Sequence, residues 1–452
     1  MSAAHIDVNP AIDASVGRTV PPAVLGAGVA LMLLGVVSVG IGFAIAGPAW
    51  TWGAILVGLV YTLAIAQGGI IFSVIQTATW GRWGRPFKRV AETLFFVMPI
   101  AYVALLVFLV GGLGIYVWNP DTIIPGGPVS LLPHSPEAVA SKPIWLAEGF
   151  VIARMAIGFL WILIINFVYV RASLAPDLLM ARQRLGNRAP GWWGTFIGSE
   201  TDLNRAIARS QRTQELLAPV IVVSFAAVFT LLAMDLLMSL APIWYSNMFP
   251  AWQTVSGFWL SLAVLTALTL ILRDWLGLKQ YVRPNHTHDI GKLMLAGCMF
   301  WAYTTFAQIL PIWYTNMPEE TDFLLVRMFL PQWSWLSQLV AITCFVAPFT
   351  ILLSRGIKKM RWPLVGLCAL IMTGIFLERS LMVLPQVHLG DDFPTTWFLL
   401  VNVGVWLGCL GLVLTVVSQF LARVPAIVVS DPHLQAHPWD VHVASLDATH
   451  HP

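Results

Sequence analysis

Long apolar stretches alternate with short polar ones along almost the whole chain. A helix needs about 20 mostly apolar residues to cross a bilayer, and ten stretches reach that length. They fall at 23–45, 50–75, 91–117, 146–174, 217–241, 255–277, 291–315, 336–353, 363–384 and 396–421. The pattern predicts an all-α polytopic membrane protein: a segment 1–22, a ten-span domain 23–421 and a tail 422–452. The seventh span has both ends marked. His286, His288, Asp289 and Lys292 form a polar cluster before it, and Trp313, Tyr314, Glu319 and Glu320 follow it. The sequence Pro-Ile-Trp-Tyr-Thr-Asn-Met at 311–317 nearly repeats Pro-Ile-Trp-Tyr-Ser-Asn-Met at 242–248. Trp244, Tyr245, Trp313 and Tyr314 thus mark two span ends, either as lipid-interface anchors or as parts of one surface that docks a partner.

Charge sets the orientation. Arg82, Arg85, Lys88 and Arg89, then seven arginines from Arg171 to Arg212, then Arg273 to Lys292 and Arg355 to Arg361, all lie on alternate loops. The opposite loops hold only Lys142 and Arg327. Lys and Arg concentrate on the cytoplasmic side, so the basic loops and both termini are expected there. The net charge of +3 resides in these short loops and gives no reason to expect nucleic acid. With 10% charged and 58% hydrophobic residues, little mass is expected outside the membrane. The amino terminus lacks a signal-peptide cleavage pattern, so the first span is expected to be retained. The stretch 199–216 reads as a short surface helix or a plain connector. The His-containing tail reads as disordered or docked on a partner.

Cofactor chemistry is sparse. Cys298, Cys344, Cys368 and Cys409 are scattered through apolar spans without a CxxC, and all ten histidines lie outside the spans. No metal site, iron–sulfur cluster or haem ligand set is expected in this chain, and no catalytic residue stands out. Ionisable residues inside a span are expensive, which makes each a candidate site. At 1.5 Å rise per residue, Arg154 lies roughly 12 Å from the outer end of span 4 and Asp235 roughly 9 Å from that of span 5. Glu378, Arg379, Gln308 and Asn402 fall at similar depth on spans 9, 7 and 10. One reading makes this layer a set of pins, with Arg154 paired to Asp235 or Glu378 and Arg379 reaching for the outer surface. The other makes it a quinone contact or a proton route. Neighbours on a helix point about 100° apart, so Glu378 and Arg379 are expected to address different places. Glu92, Asp274, Asp289 and Lys292 sit at inner span ends, where solvated capping is expected.

Several motifs carry a resemblance. His-Thr-His-Asp-Ile-Gly-Lys-Leu (286–293), Phe-Trp-Ala-Tyr (300–303), Ile-Trp-Tyr-Thr-Asn-Met-Pro-Glu-Glu-Thr (312–321) and Pro-Phe-Thr-Ile-Leu-Leu-Ser-Arg (348–355) resemble the ActF-type membrane subunit of bacterial alternative complex III. That subunit belongs to the NrfD/PsrC-like, polysulfide reductase membrane-subunit superfamily. Met-Asp-Leu-Leu-Met-Ser-Leu (234–240) and Arg379 before Val-Leu-Pro also fit, and the likeness spans roughly residues 20–425. One departure is that Glu378 precedes Arg379, whereas family members often carry an acid and an aromatic after it. The resemblance implies two four-helix bundles, spans 2–5 and 6–9, flanked by spans 1 and 10, in a bacterial inner membrane. It implies a sister ten-span subunit, a periplasmic iron–sulfur protein and haem c subunits as partners, besides membrane lipids. It also implies quinol oxidation by the assembly, with this chain as a structural half that has a proton route or a quinone contact. A secondary transporter and a scaffold without ligand are the competing functions; the off-centre charges fit a transporter poorly.

Overall fold

The computed structural model describes residues 7–124, 144–241, 244–388 and 392–434. The Glu319 side chain, most of the Pro- and Gly-rich loop 118–145, and His437, His442, His450 and His451 lie outside the described residues. No strand occurs among those described. Among the described residues ten helices are long and apolar enough to span a membrane. They are α1 (Pro22–Ala46), α2 (Pro48–Ala78), α3 (Arg85–Gly111), α4 (Glu148–Arg188), α5 (Leu203–Leu240), α6 (Phe249–Ile271), α7 (Pro284–Thr315), α8 (Pro331–Leu353), α9 (Arg361–Val387) and α10 (Thr395–Leu421).

Burial ranks these helices. In α2 the most apolar window is 94% buried, against 17% in α1 and 22% in α7. A helix apolar on every side belongs where it has neighbours on every side. Accordingly α2 packs against α3, α5, α6, α9 and α10, while α6 also packs on α7 and α9. The α1–α10 pair is closed by small residues: a Cβ on Gly35 would come within 2.7 Å of the Gly408 Cα. Without a hydrophobic drive between helices in lipid, such close backbone approach is what holds the pair.

Both tails and the basic loops share one face, called the basic face below. Arg184 pairs with Asp13 at 2.7 Å, Trp275 donates to the Thr19 carbonyl at 2.8 Å, and Arg18 donates to the Leu421 carbonyl at 3.2 Å. Two expectations are corrected here. The stretch 199–216 is neither a separate surface helix nor a connector, because α5 runs through it from Leu203. Asp202 caps that end by accepting from the Asn204 and Arg205 amides. Ala206, Ser210, Gln214 and Ala218, spaced by four, form its buried stripe along the flank of α4. The tail also folds back on its own chain as far as it is described, with Val424, Ala426, Ile427 and Val428 all buried.

The spans are not uniform helices. π-helical turns interrupt them at Gly42–Ala46, Ala233–Leu237, Ile342–Val346 and Phe398–Val403. An inserted residue widens the helix and re-aims its side chains, and such turns concentrate at functional positions. Two of the predicted polar residues, Asp235 and Asn402, sit in them.

Candidate functional site: buried charges between the helices

The six predicted polar residues do not converge. Asp235, fully buried, receives a hydrogen bond from Arg154 Nε at 2.7 Å and one from Trp145 Nε1 at 3.1 Å. Arg154 also donates to the Trp145 carbonyl, and its guanidinium lies 4.1 Å from the Trp145 ring centre and 4.5 Å from that of Phe150. Planar guanidinium and aromatic faces stack well, so the rings roof the ion pair. One Arg154 nitrogen, Nη1, is buried without a partner among the described residues. Nearby, the Tyr116 hydroxyl donates to the Leu236 carbonyl at 2.8 Å inside the π-helical turn. Of the two partners the sequence allowed Arg154, the structure selects Asp235.

Glu378 and Arg379 form a second, enclosed pair on α9. Trp301 Nε1 donates to Glu378 at 2.7 Å; Arg379 donates to Ser256 Oγ at 2.8 Å and to the Gln253 carbonyl at 3.1 Å. Arg379 therefore does not reach for the outer surface. The two neighbours also bond each other despite their 100° separation, because the long, flexible Arg side chain folds back. Gln308 accepts from Ser246 at 3.3 Å and donates to the Thr304 carbonyl. Asn402 is 1% exposed, and neither polar atom of its amide has a partner among the described residues. Among the described residues no hydrogen bond joins the two ion pairs.

A larger charge cluster, which the sequence reading missed, lies towards the basic face. Glu92 is buried, not solvated. It accepts from Arg89 at 2.6 Å, from Ser173 at 2.8 Å and from Ser73 at 2.9 Å. Arg89 also pairs with Asp177, which accepts from the Ser430 amide at 2.8 Å. Arg85 meets Asp431 at 2.6 Å, and Lys88 donates to Gln214 at 2.7 Å. Three cations (Arg85, Lys88, Arg89) thus balance three anions (Glu92, Asp177, Asp431); the folded-back tail supplies Asp431 itself and Ser430, which donates to Asp177. Balanced pairing is what makes such burial tolerable. Sequence spacing held the signal: Lys88 and Arg89 lie four and three before Glu92, and Tyr169, Ser173 and Asp177 line one helix face at intervals of four. Along α4 between this cluster and the Arg154–Asp235 pair, Asn166 donates to Gln67 at 2.6 Å.

The remaining candidates separate as well. Trp244 is packed within its own chain, stacked on Phe323 at 3.8 Å, and so offers no surface to a partner. Tyr245, Trp313 and Tyr314 are exposed, and Glu320 is half-buried. In the other cluster Lys292 pairs with Asp289 at 2.5 Å, His286 is buried with Nδ1 facing the Arg283 amide, and His288 lies one turn before Lys292. Asp274 is exposed and paired with Arg361 at 2.6 Å, which holds its carboxyl below the usual range. Solvated capping describes Asp274 and Lys292 but not Glu92. Among the described residues no group of three His, Cys, Asp or Glu is placed to hold a metal.

Fold and site together define a helical multi-pass membrane protein with charge pairs enclosed between its helices. Compared with known proteins, the chain matches no family model and no curated protein.

Proposed function

We propose that this chain is a membrane subunit of a quinol-oxidising electron-transfer complex of the alternative complex III type, a structural half that carries a proton route. The motifs between 286 and 321 support the complex. The observation that carries the proton route is Asp235: a buried carboxyl in a π-helical turn, held by Trp145 and by an Arg154 whose Nη1 has no partner among the described residues. In this reading α2–α5 and α6–α9 form two four-helix bundles, the basic face is cytoplasmic, and the membrane is a bacterial inner membrane. Partners are a sister ten-span subunit, a periplasmic iron–sulfur protein and haem c subunits, with Tyr245, Trp313 and Tyr314 as exposed contact points. The scaffold reading draws on Glu378 and Arg379, whose enclosure suits a pin between helices better than a relay.

Purification of the tagged chain in mild detergent tests the proposal. The expected result is co-purifying haem c and iron–sulfur proteins with quinol oxidation activity. A monodisperse chain free of redox partners, which moves a solute when reconstituted in vesicles, overturns it in favour of a transporter.

A further inference from the structure

On the basic face, α4 and α5 continue past their lipid-facing parts and leave a groove of about 420 Å³ between them. Small side chains keep it open: Ala172 and Ala175 line it from α4, and Ala206 and Ser210 from α5. Gly198, at φ +72°, turns the connecting loop across one end, 3.9 Å (from a Cβ placed there) from the Arg171 guanidinium. Three charged side chains line this space: Arg171, Arg209 and Glu200. Arg171 and Arg209 are exposed and have no carboxylate partner among the described residues. Glu200 accepts the Thr201 and Asp202 amides on Oε1, which leaves Oε2 open.

The groove also sits at a boundary. On α4 the exposed apolar surface of Ile164, Phe167 and Val168 ends one turn before Arg171. On α5 the exposed Leu216, Val220 and Val223 begin two turns beyond Arg209. Apolar surface that stops at a pair of free arginines marks the depth where acyl chains give way to headgroups. Two guanidinium forks match a phosphodiester, and a nearby carboxylate matches an ammonium.

We propose that this groove binds one phospholipid in the leaflet on the basic face, with a headgroup of phosphatidylethanolamine chemistry. Its phosphodiester lies between Arg171 and Arg209, its primary ammonium on Glu200, and its acyl chains along Val168 and Phe167. Glu200 supplies the selectivity. It repels a purely anionic headgroup, and it has no donor to accept from in a trimethylated one.

The test uses the full-length chain, delipidated in detergent and titrated with phosphatidylethanolamine, phosphatidylglycerol or phosphatidylcholine while bound lipid is counted by native mass spectrometry. Phosphatidylethanolamine is expected to bind tightest. Arg171→Gln with Arg209→Gln is expected to weaken it roughly tenfold or more, the scale of lost charge-assisted hydrogen bonds. Arg355→Gln, an exposed arginine on α8's side of the same face, is expected to leave it unchanged. Glu200→Gln is expected to shift the preference to phosphatidylglycerol. Equal binding of all three lipids, or binding indifferent to these substitutions, overturns the proposal. So does soluble phosphoethanolamine competing as well as the lipid, which would make this a site for a free phosphate.

Discussion

The charge cluster near the basic face and the Asp235–Arg154 pair solve the same problem differently. In the first, three cations and three anions interlock, and Glu92 and Asp177 are each held from more than one element. The tail closes over it, leaving a cavity of only about 40 Å³, room for water but little else. In the second, one carboxylate leans on one guanidinium, inside a π-helical turn, beneath the half-exposed Trp145. Carboxylates that share several cations resist a change of charge, whereas one that leans on a single guanidinium can take a proton. Under the proposed function the first region is architecture and the second the proton route.

Arg89 offers the hardest test of the architectural half. Arg89→Met leaves Glu92 and Asp177 buried without their shared cation, and a broken buried pair costs about 3–5 kcal/mol. Thermal unfolding in detergent is expected to show a large loss of stability and yield. A variant as stable as the parent would show that the network does not hold the helices together.

The tail should matter less. Asp431→Ala removes the partner of Arg85 at the edge of the cluster, and the loss of a charged hydrogen bond is worth about 1.5–3 kcal/mol. Faster proteolysis after Arg423 is the expected sign, with the membrane helices intact. Unchanged cleavage would mean that the apolar run Val424–Val429 docks the tail by itself.

This tail was the least legible part of the sequence. Hydropathy located all ten spans, since apolar length alone decides which segments enter a bilayer. It set α3 six residues late, because Arg85 and Arg89 read as solvated when Asp431 and Asp177, which compensate them, lie 346 and 88 residues away. The Arg154–Asp235 pair was legible because both charges stand alone in apolar surroundings and leave few partners to choose from. The Glu378–Arg379 bond was not, since helix geometry fixes where a side chain starts and not where a long one ends. Trp244 and Trp313 occupy the same place in a repeated motif, yet one is buried and the other exposed, a difference made by Phe323 on a separate helix.

A smaller effect is set by pH. Burial holds the His433 imidazole below its ordinary value of 6.5, helped by Arg85, Arg82 and Lys88 and opposed by Asp431. The undocked tail therefore binds a proton more readily than the docked one. Docking is at full strength above that ordinary value and weakens as pH falls below it. Amide exchange over 424–431, corrected for intrinsic rates, is expected to be faster at about pH 5.5 than at about pH 7.5. His433→Asn is expected to remove the difference; if the pH effect persists in that variant, another group is responsible.

The most direct measurement uses Asp235→Asn in the purified complex, with assembly, electron transfer and proton release followed together. Asparagine keeps the shape and its single amide oxygen can still accept from Arg154, but it cannot carry a proton away. The account predicts a complex assembled in parental yield, with slower turnover and proton release lost. Proton release and turnover equal to the parent's would contradict it, and failure to assemble would make the Asp235–Arg154 pair another pin.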